Sequence, residues 1–330
     1  MTRRLRGWVA PVLGIAGLVL CVRLFVHLGP AEVGAHVRRM GPVLPLVLLL
    51  TGMKLALQTA GWRLALLPHE RPAWPSSVAA TLSGDALGYI TWAGPFTGEP
   101  ARAFLLRATV PIGKGTAAGV VERGLYNITA FVLVGLVFLA LASPALAFAA
   151  VGVALLAAAL AITRGRRSPH ASAPAHATET ARATPSVAKP SVRRALKDFW
   201  RQRREVLVAI AALAVLQHLL LVLEAWTLLG AMNAHATMGA AAVFEAATKV
   251  VNAVGTIVPA RLGISEGGSA MLAAALGFAA REGFSLALMR RIRALIWAVA
   301  GLALLPVQEW RERRLQAQAA AASSARSTGR

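Results

Sequence analysis

The sequence predicts an all-α polytopic membrane protein, a helix bundle of about six to eight membrane segments. Three observations carry this. The chain of 330 residues is 57% hydrophobic with a mean hydropathy of +0.60, whereas soluble domains run nearer about 45–50% apolar. Several apolar runs approach or exceed the roughly 18–20 residues that span a bilayer. The apolar pattern is broken twice by Pro and Gly with charges beside them, at Ser83–Arg107 and at Val258–Gly268. No period-two alternation is present, and Ala, Leu and Val dominate, which argues against a barrel.

Arg3, Arg4 and Arg6 precede an apolar run from Trp8 to about Leu28. That run exceeds a cleavable signal core and reads as a signal anchor with its N-terminus in the cytoplasm. Its Cys21, the one cysteine, has no partner for an internal disulfide. A second span, Pro42 to Leu67, carries Lys54, Gln58 and Arg63. Lys54 and Gln58 share a face, four residues apart. A lysine inside a span costs roughly 2.5–3.5 kcal/mol, so Lys54 faces the bundle interior, either for transport or to pair with a carboxylate such as Asp85.

The first broken segment follows. Ser76 to Trp92 reaches deep into the bilayer, whereas Gly98 to Arg107 is too charged to touch lipid. The pair reads as a re-entrant hairpin, or as a span followed by an interfacial half-helix. Proline removes a backbone donor, so breaks at Gly94-Pro95 and Gly98-Glu99-Pro100 must be buried or face a wet cavity. Asp85, Glu99, Arg102 and Arg107 arrive within a few turns of one another. Thr116 to Ala142 is the next span, with Glu122 and Arg123 in its first turns, and Ala145 to Thr163 returns.

Residues 164–204 are rich in Ser, Pro, Ala and Thr, with eleven Lys and Arg against Glu179 and Asp198. This composition buries no core and predicts a disordered cytoplasmic linker. Its end, Val192 to Arg204, is either a basic helix lying on the membrane or a solvated flank. The chain thus divides into a first membrane half (1–163), a linker (164–204), a second membrane half (205–314) and a disordered tail (315–330).

Val206 to Gly230 is a span carrying Gln217, His218 and Glu224. Ala240 to Pro259 sets Glu245, Lys249 and Asn252 in one polar stripe, either a self-neutralising pair or a cavity lining. Arg261, Gly263 and Glu266 lie at the second break, and a small-residue helix, Gly267 to Ala280, follows. The last apolar run, Ala294 to Val307, is short. A full crossing takes in Arg290, Arg291 and Arg293, which a cytoplasmic C-terminus would leave near the outer leaflet and its lipid phosphates. Basic residues flank both ends, so the charge rule does not orient this helix.

The order of elements repeats. Each half has spanning helices, then a Pro/Gly break followed by a glutamate, then another helix. Paired interrupted segments of this kind point to inverted-repeat halves with a site between two hairpins. GPFTGEPARAFLLR (94–107), VVERGLY (120–126) and VPARLGISEGG (258–268) resemble the flippase-like transmembrane domain of lysylphosphatidylglycerol synthases and its stand-alone relatives. The resemblance spans roughly residues 8–163 and 205–310. It implies functional roles for Glu99 and Arg102, Glu122 and Arg123, and Gly263 and Glu266. Tyr126 stands where that family usually has an acid, and Pro259-Ala260-Arg261 where it commonly has Pro-Gly-Gly. The soluble aminoacyl-transfer domain of the family is missing from the sequence given, so synthase activity is not implied.

The expected function is a lipid flippase or translocase moving an anionic or aminoacylated headgroup between leaflets of a cell inner or plasma membrane. The candidate headgroup site comprises Asp85, Gly98, Glu99, Arg102, Arg107, Glu122, Arg123, Lys249, Asn252, Arg261, Gly263 and Glu266. Arg102, Arg107 and Arg261 would bind phosphate. Glu99, Glu122 and Glu266 would balance them, or bind a cationic headgroup or a proton. Glycines 98 and 263 would let backbone amides approach the ligand. The same charges would also serve as buried ion pairs that hold the hairpins. The alternative is a non-transporting membrane partner of a lipid or glycolipid biosynthetic enzyme, docked through the basic linker. An intramembrane enzyme is disfavoured: there is no HExxH, His/Cys cluster or serine-nucleophile motif. No cofactor is expected. The net charge of +21 suggests nucleic acid in a soluble protein, but here it follows the positive-inside rule, with attraction to anionic lipid as a compatible extra.

Overall fold

A computed structural model describes residues 2–91, 94–146, 149, 204–232, 236–254 and 262–328. Among these residues the chain is helical with no strand. Helices α1 (Thr2–His27), α2 (Pro30–Met40), α3 (Leu44–Ala65), α4 (Trp74–Ile90), α5 (Pro95–Phe104) and α6 (Ile112–Ala142) form the first half. Helices α7 (Arg204–Ala231), α8 (Met238–Val254), α9 (Ile264–Ala275) and α10 (Ala280–Thr328) form the second. Among the described residues, three stretches are long and apolar enough to cross a membrane: Pro30–Ala65, Ile112–Ala142 and Glu205–Ala231.

The apolar surface is turned outward. Helix α6 exposes Ile128, Phe131, Val132 and Phe138, while Gly115, Ala117, Ala118, Gly119 and Glu122 lie buried. In water such an exterior would be an aggregation surface; against lipid it costs nothing. Inside, small residues let backbones approach. A Cβ on Gly84 would lie 2.8 Å from the Gly98 carbonyl oxygen, and one on Gly88 would lie 3.0 Å from that of Gly94. These glycines seam α4 to α5 and close the first hairpin. Gly94, at its tip, has φ of 50°, a conformation that glycine tolerates and most residues do not. In the second hairpin a Cβ on Gly268 would meet Val251 of α8 at 2.5 Å.

The neighbours of the two halves are exchanged. Helix α3 packs along α7, α10 packs on α4, and α6 packs on α8. The charges show one parallel between the halves. Glu99 of α5 pairs with Arg123, the twelfth residue of α6, and Glu266 of α9 pairs with Arg291, the twelfth residue of α10.

Helix α10 is the spine. Near its middle, Gly301 lies so close to α4 that a Cβ would be 2.4 Å from the Leu82 carbonyl oxygen. Ser83 donates to the Gly301 carbonyl at 2.7 Å, and Gln308 donates to Ser83 Oγ at 2.7 Å. The structure departs from the sequence reading in three places. Helix α2, which buries Val33 and Met40 and is tied to α10 through Glu32–Arg281 at 2.6 Å, was not anticipated. Helix α9 begins at Ile264 rather than Gly267. Helix α10 runs on to Thr328, beyond Leu315, where composition suggests disorder. The linker 164–203 and most of the expected span Ala145 to Thr163 lie outside the described residues.

Gly301→Ala is expected to force α4 and α10 apart and to lower the thermal unfolding midpoint of the detergent-solubilised protein, a loss equivalent to about 1–3 kcal/mol. Gly135→Ala, with nothing within 4 Å of the added carbon, is expected to leave the midpoint unchanged or to raise it.

Candidate functional site: a charged cavity between two hairpins

Both hairpins line one cavity of about 440 Å³. Asp85, Gly88, Gly94 and Gly98 come from the first, and Lys249, Asn252, Ser265 and Glu266 from the second. The rest of the wall includes Lys54 of α3, Arg123 and Tyr126 of α6, Glu245 of α8, and Arg290, Arg291, Arg293 and Trp297 of α10. Residues of both broken segments thus line one chamber, Gly94 and Gly98 from the first and Ser265 and Glu266 from the second.

On the first-half side, Lys54 donates to Gln58 at 3.0 Å and Gln58 donates to Asp85 at 3.1 Å. Lys54 and Asp85 are thus linked through the amide, not by the direct pair the sequence suggested. Arg123 reaches both Asp85 (3.4 Å) and Glu99 (3.2 Å). Arg102 pairs with Glu99 at 3.2 Å and lies 4.0 Å from Asp85. Arg102, Glu99 and Glu122 are buried behind the wall, Arg102 and Glu122 to 1% exposure. None of the three forms the lining; Glu99 and Arg102 brace it through Arg123 and Asp85. Glu122 makes no ion pair within 4 Å among the described residues, and its Oε2 has no hydrogen-bond partner.

On the second-half side, Glu245 accepts from Lys249 at 2.9 Å and from Arg290 at 2.6 Å. Glu224 of α7 takes Arg290 at 3.2 Å and also Arg293. Glu266 takes Arg291 at 2.5 Å and accepts the Gly263 N–H at 2.9 Å. That last bond caps α9: a glutamate at the third helical position reaches back to an otherwise orphaned amide. Lys249 also donates to the Tyr126 hydroxyl at 3.0 Å. Lys54, Arg123 and Lys249 all lie within 6 Å of the Tyr126 ring centre, where a ring face attracts cations. The other edge of Tyr126 packs on His218, 4.3 Å between ring centres, and that histidine bonds the Tyr126 carbonyl. His218 is thereby a packed, hydrogen-bonded residue.

Several expectations need correction. Arg107 is not at the cavity; it makes a two-pronged pair with Glu309 of α10, at 2.8 and 3.1 Å. Gly98 lines the cavity, but its close approach is to Gly84. Gly263, at φ of 76°, packs against α1, where a Cβ would lie 2.3 Å from the Gly17 carbonyl oxygen. Arg261 lies outside the described residues. Arg290, Arg291 and Arg293 lie inside the bundle, neutralised by carboxylates from α7, α8 and α9. These three arginines, with Glu224, Glu245, Lys54, Tyr126 and Trp297, are the residues the sequence-based site omits. The shortness of the final apolar run was the one signal of the three arginines. A run that spans only by including three arginines must bury those arginines.

Among the described residues no group of three His, Cys, Asp or Glu is placed to hold a metal. The fold and cavity define a polytopic helical membrane protein with its charges gathered inside. The chain belongs to the lysylphosphatidylglycerol synthase TM region family, which it matches over residues 8–305. No curated protein and no solved structure matches it.

Glu224→Gln is expected to destabilise the protein by about 3–5 kcal/mol, because it weakens the neutralisation of two buried arginines at once. Arg313→Ala, whose side chain is 76% exposed, is expected to leave the unfolding midpoint unchanged. Both are read by thermal unfolding in detergent.

Proposed function

We propose that the protein is a lipid translocase that carries a phospholipid-type headgroup through the cavity between leaflets while the acyl chains stay in lipid. One observation carries this reading: a chamber with charged walls, reached by both hairpins, inside a bundle whose exterior is apolar. A headgroup crossing a bilayer loses its hydration, and a polar chamber substitutes for it. Its size falls within the usual range for small-molecule sites, about 300–1,000 Å³. The family assignment supports a lipid-related role. No bond is made or broken in this reading, so the protein is a carrier and not an enzyme. It also sets the N-terminus and the 164–204 segment on the cytoplasmic side of a cell inner or plasma membrane, as the basic residues there require.

Carboxylates in and behind the wall set the state of the lining arginines. Glu99 and Glu266 each hold one lining arginine, Arg123 and Arg291, in corresponding positions of the two halves. A headgroup phosphate would compete with these carboxylates for the guanidinium groups, and the carboxylates would recapture them on release.

The test is lipid movement by purified protein in liposomes, with fluorescent lipids of different headgroups scored by quencher access from outside. Wild type is expected to move lipid in a headgroup-dependent way, and Glu99→Gln and Glu266→Gln to slow that movement at least about tenfold, a barrier change near 1.4 kcal/mol. No movement of any lipid by folded protein would sink the translocase reading and leave the non-transporting partner of a lipid biosynthetic enzyme.

A further inference from the structure

We propose that the cavity selects a negatively charged, phosphate-bearing headgroup over a cationic, aminoacylated one, with Arg123, Lys249, Arg293 and Trp297 as its recognition donors. The physiological meaning rests on the translocase reading; the site itself does not.

The first support is charge. Six cationic side chains line the cavity against three carboxylates, Asp85, Glu245 and Glu266. Glu99 and Glu224, immediately behind, narrow this excess without removing it, and Arg102 and Glu122 further back offset each other.

The second support is independent of charge count. Every buried polar side-chain atom that lacks a partner on a cavity-lining residue, among the described residues, is an N–H donor. These are Nε of Arg123 and Arg293 and Nε1 of Trp297; Arg290 Nε also makes no hydrogen bond but already faces Glu224 at 3.2 Å. Leaving a buried donor unpaired costs about 1–3 kcal/mol, so the chamber wants acceptors. A phosphate brings several acceptor oxygens and negative charge together, and guanidinium groups match its geometry. An ammonium brings only more donors.

The third support is that the lining carboxylates are taken. Glu245 is held by Lys249 and Arg290, and Glu266 by Arg291 and the Gly263 amide. Asp85 is the most exposed of the three, at 27%. It sits between Arg123 and Arg102 and is bridged to Lys54 through Gln58. An ammonium approaching it meets three fixed cations. The Tyr126 ring, the other surface that would attract an ammonium, is already faced by Lys54, Arg123 and Lys249.

The experiment reads binding without transport. The full-length protein in detergent is titrated with dihexanoyl phosphatidylglycerol, its lysyl ester and dihexanoyl phosphatidylcholine. Inorganic phosphate and glycerol 3-phosphate form the water-soluble arms. The unfolding midpoint is the readout. The anionic lipid is expected to raise the midpoint saturably and to bind at least about tenfold more tightly than its lysyl ester. Trp297→Phe keeps the ring and removes one donor; Arg293→Lys keeps the charge and loses the fork. Each is expected to weaken the anionic lipid about tenfold, and the unliganded midpoint shows that each variant is folded. A lysyl ester binding as tightly as its parent, or anion binding unmoved in both folded variants, overturns the proposal. Inorganic phosphate binding as tightly as the anionic lipid supports the anion site and overturns a lipid as its source. Selective binding without lipid movement leaves this site standing and sinks translocation. Movement of lysyl lipid in preference to its parent sinks the polarity argued here and leaves translocation standing.

Discussion

An ionised side chain inside a bilayer has to find its counter-charge within the protein, and the second half of this molecule is arranged around that requirement. Arg290, Arg291 and Arg293 leave a single turn of α10 and diverge to three helices: Glu245 on α8, Glu266 on α9 and Glu224 on α7. A guanidinium alone costs several kcal/mol at the centre of a span. The pairs therefore fix where α7, α8 and α9 sit around α10, and close a polar chamber as a by-product. The first half meets the same requirement with Glu99, Asp85, Arg102 and Arg123.

Bulky clusters around Trp62 and around Phe244 and Met289 pack the bundle, and small residues let the backbones close in beside them. Glycine seams at Gly84–Gly98, Gly17–Gly263 and Gly301–Leu82 bring helices close enough that an added Cβ would clash. Such contacts suit a bundle that has no hydrophobic drive for association in lipid. They also explain how a hairpin as charged as α4–α5 is held: polar groups on α10 grip it from Ser83 through Arg107 and the Ala108 amide, which donates to Glu312 at 2.7 Å.

What the sequence made legible was whatever is local. Pro and Gly punctuate the breaks, the apolar runs give the spans, and the four-residue spacing of Glu245 and Lys249 gives an ion pair. The repeated break-plus-glutamate pattern pointed to both hairpins and to Glu99 and Glu266. Pairing across long separation was not legible. Glu245 and Arg290 are 45 residues apart, and Glu224 and Arg293 are 69 apart; no periodicity joins them. Three arginines beside a short apolar run look like a flank, because composition does not say on which side of the membrane boundary they fall. Arg107 was misplaced for the converse reason. It is close in sequence to the hairpin charges, but the chain turns after Phe104 and sends it toward Glu309. The glycines were read as approaches for a ligand, whereas the backbone they approach is the protein's own.

Helix α10 touches both hairpins along one unbroken length. Its early turns hold Glu266 of the second, and its later turns hold Ser83 and Arg107 of the first. A helix transmits axial displacement with little compression. If α10 slides, it therefore drags the anchors of both hairpins in one direction. In this helix the molecule has a connecting rod that ties the anchor points of its two hairpins together.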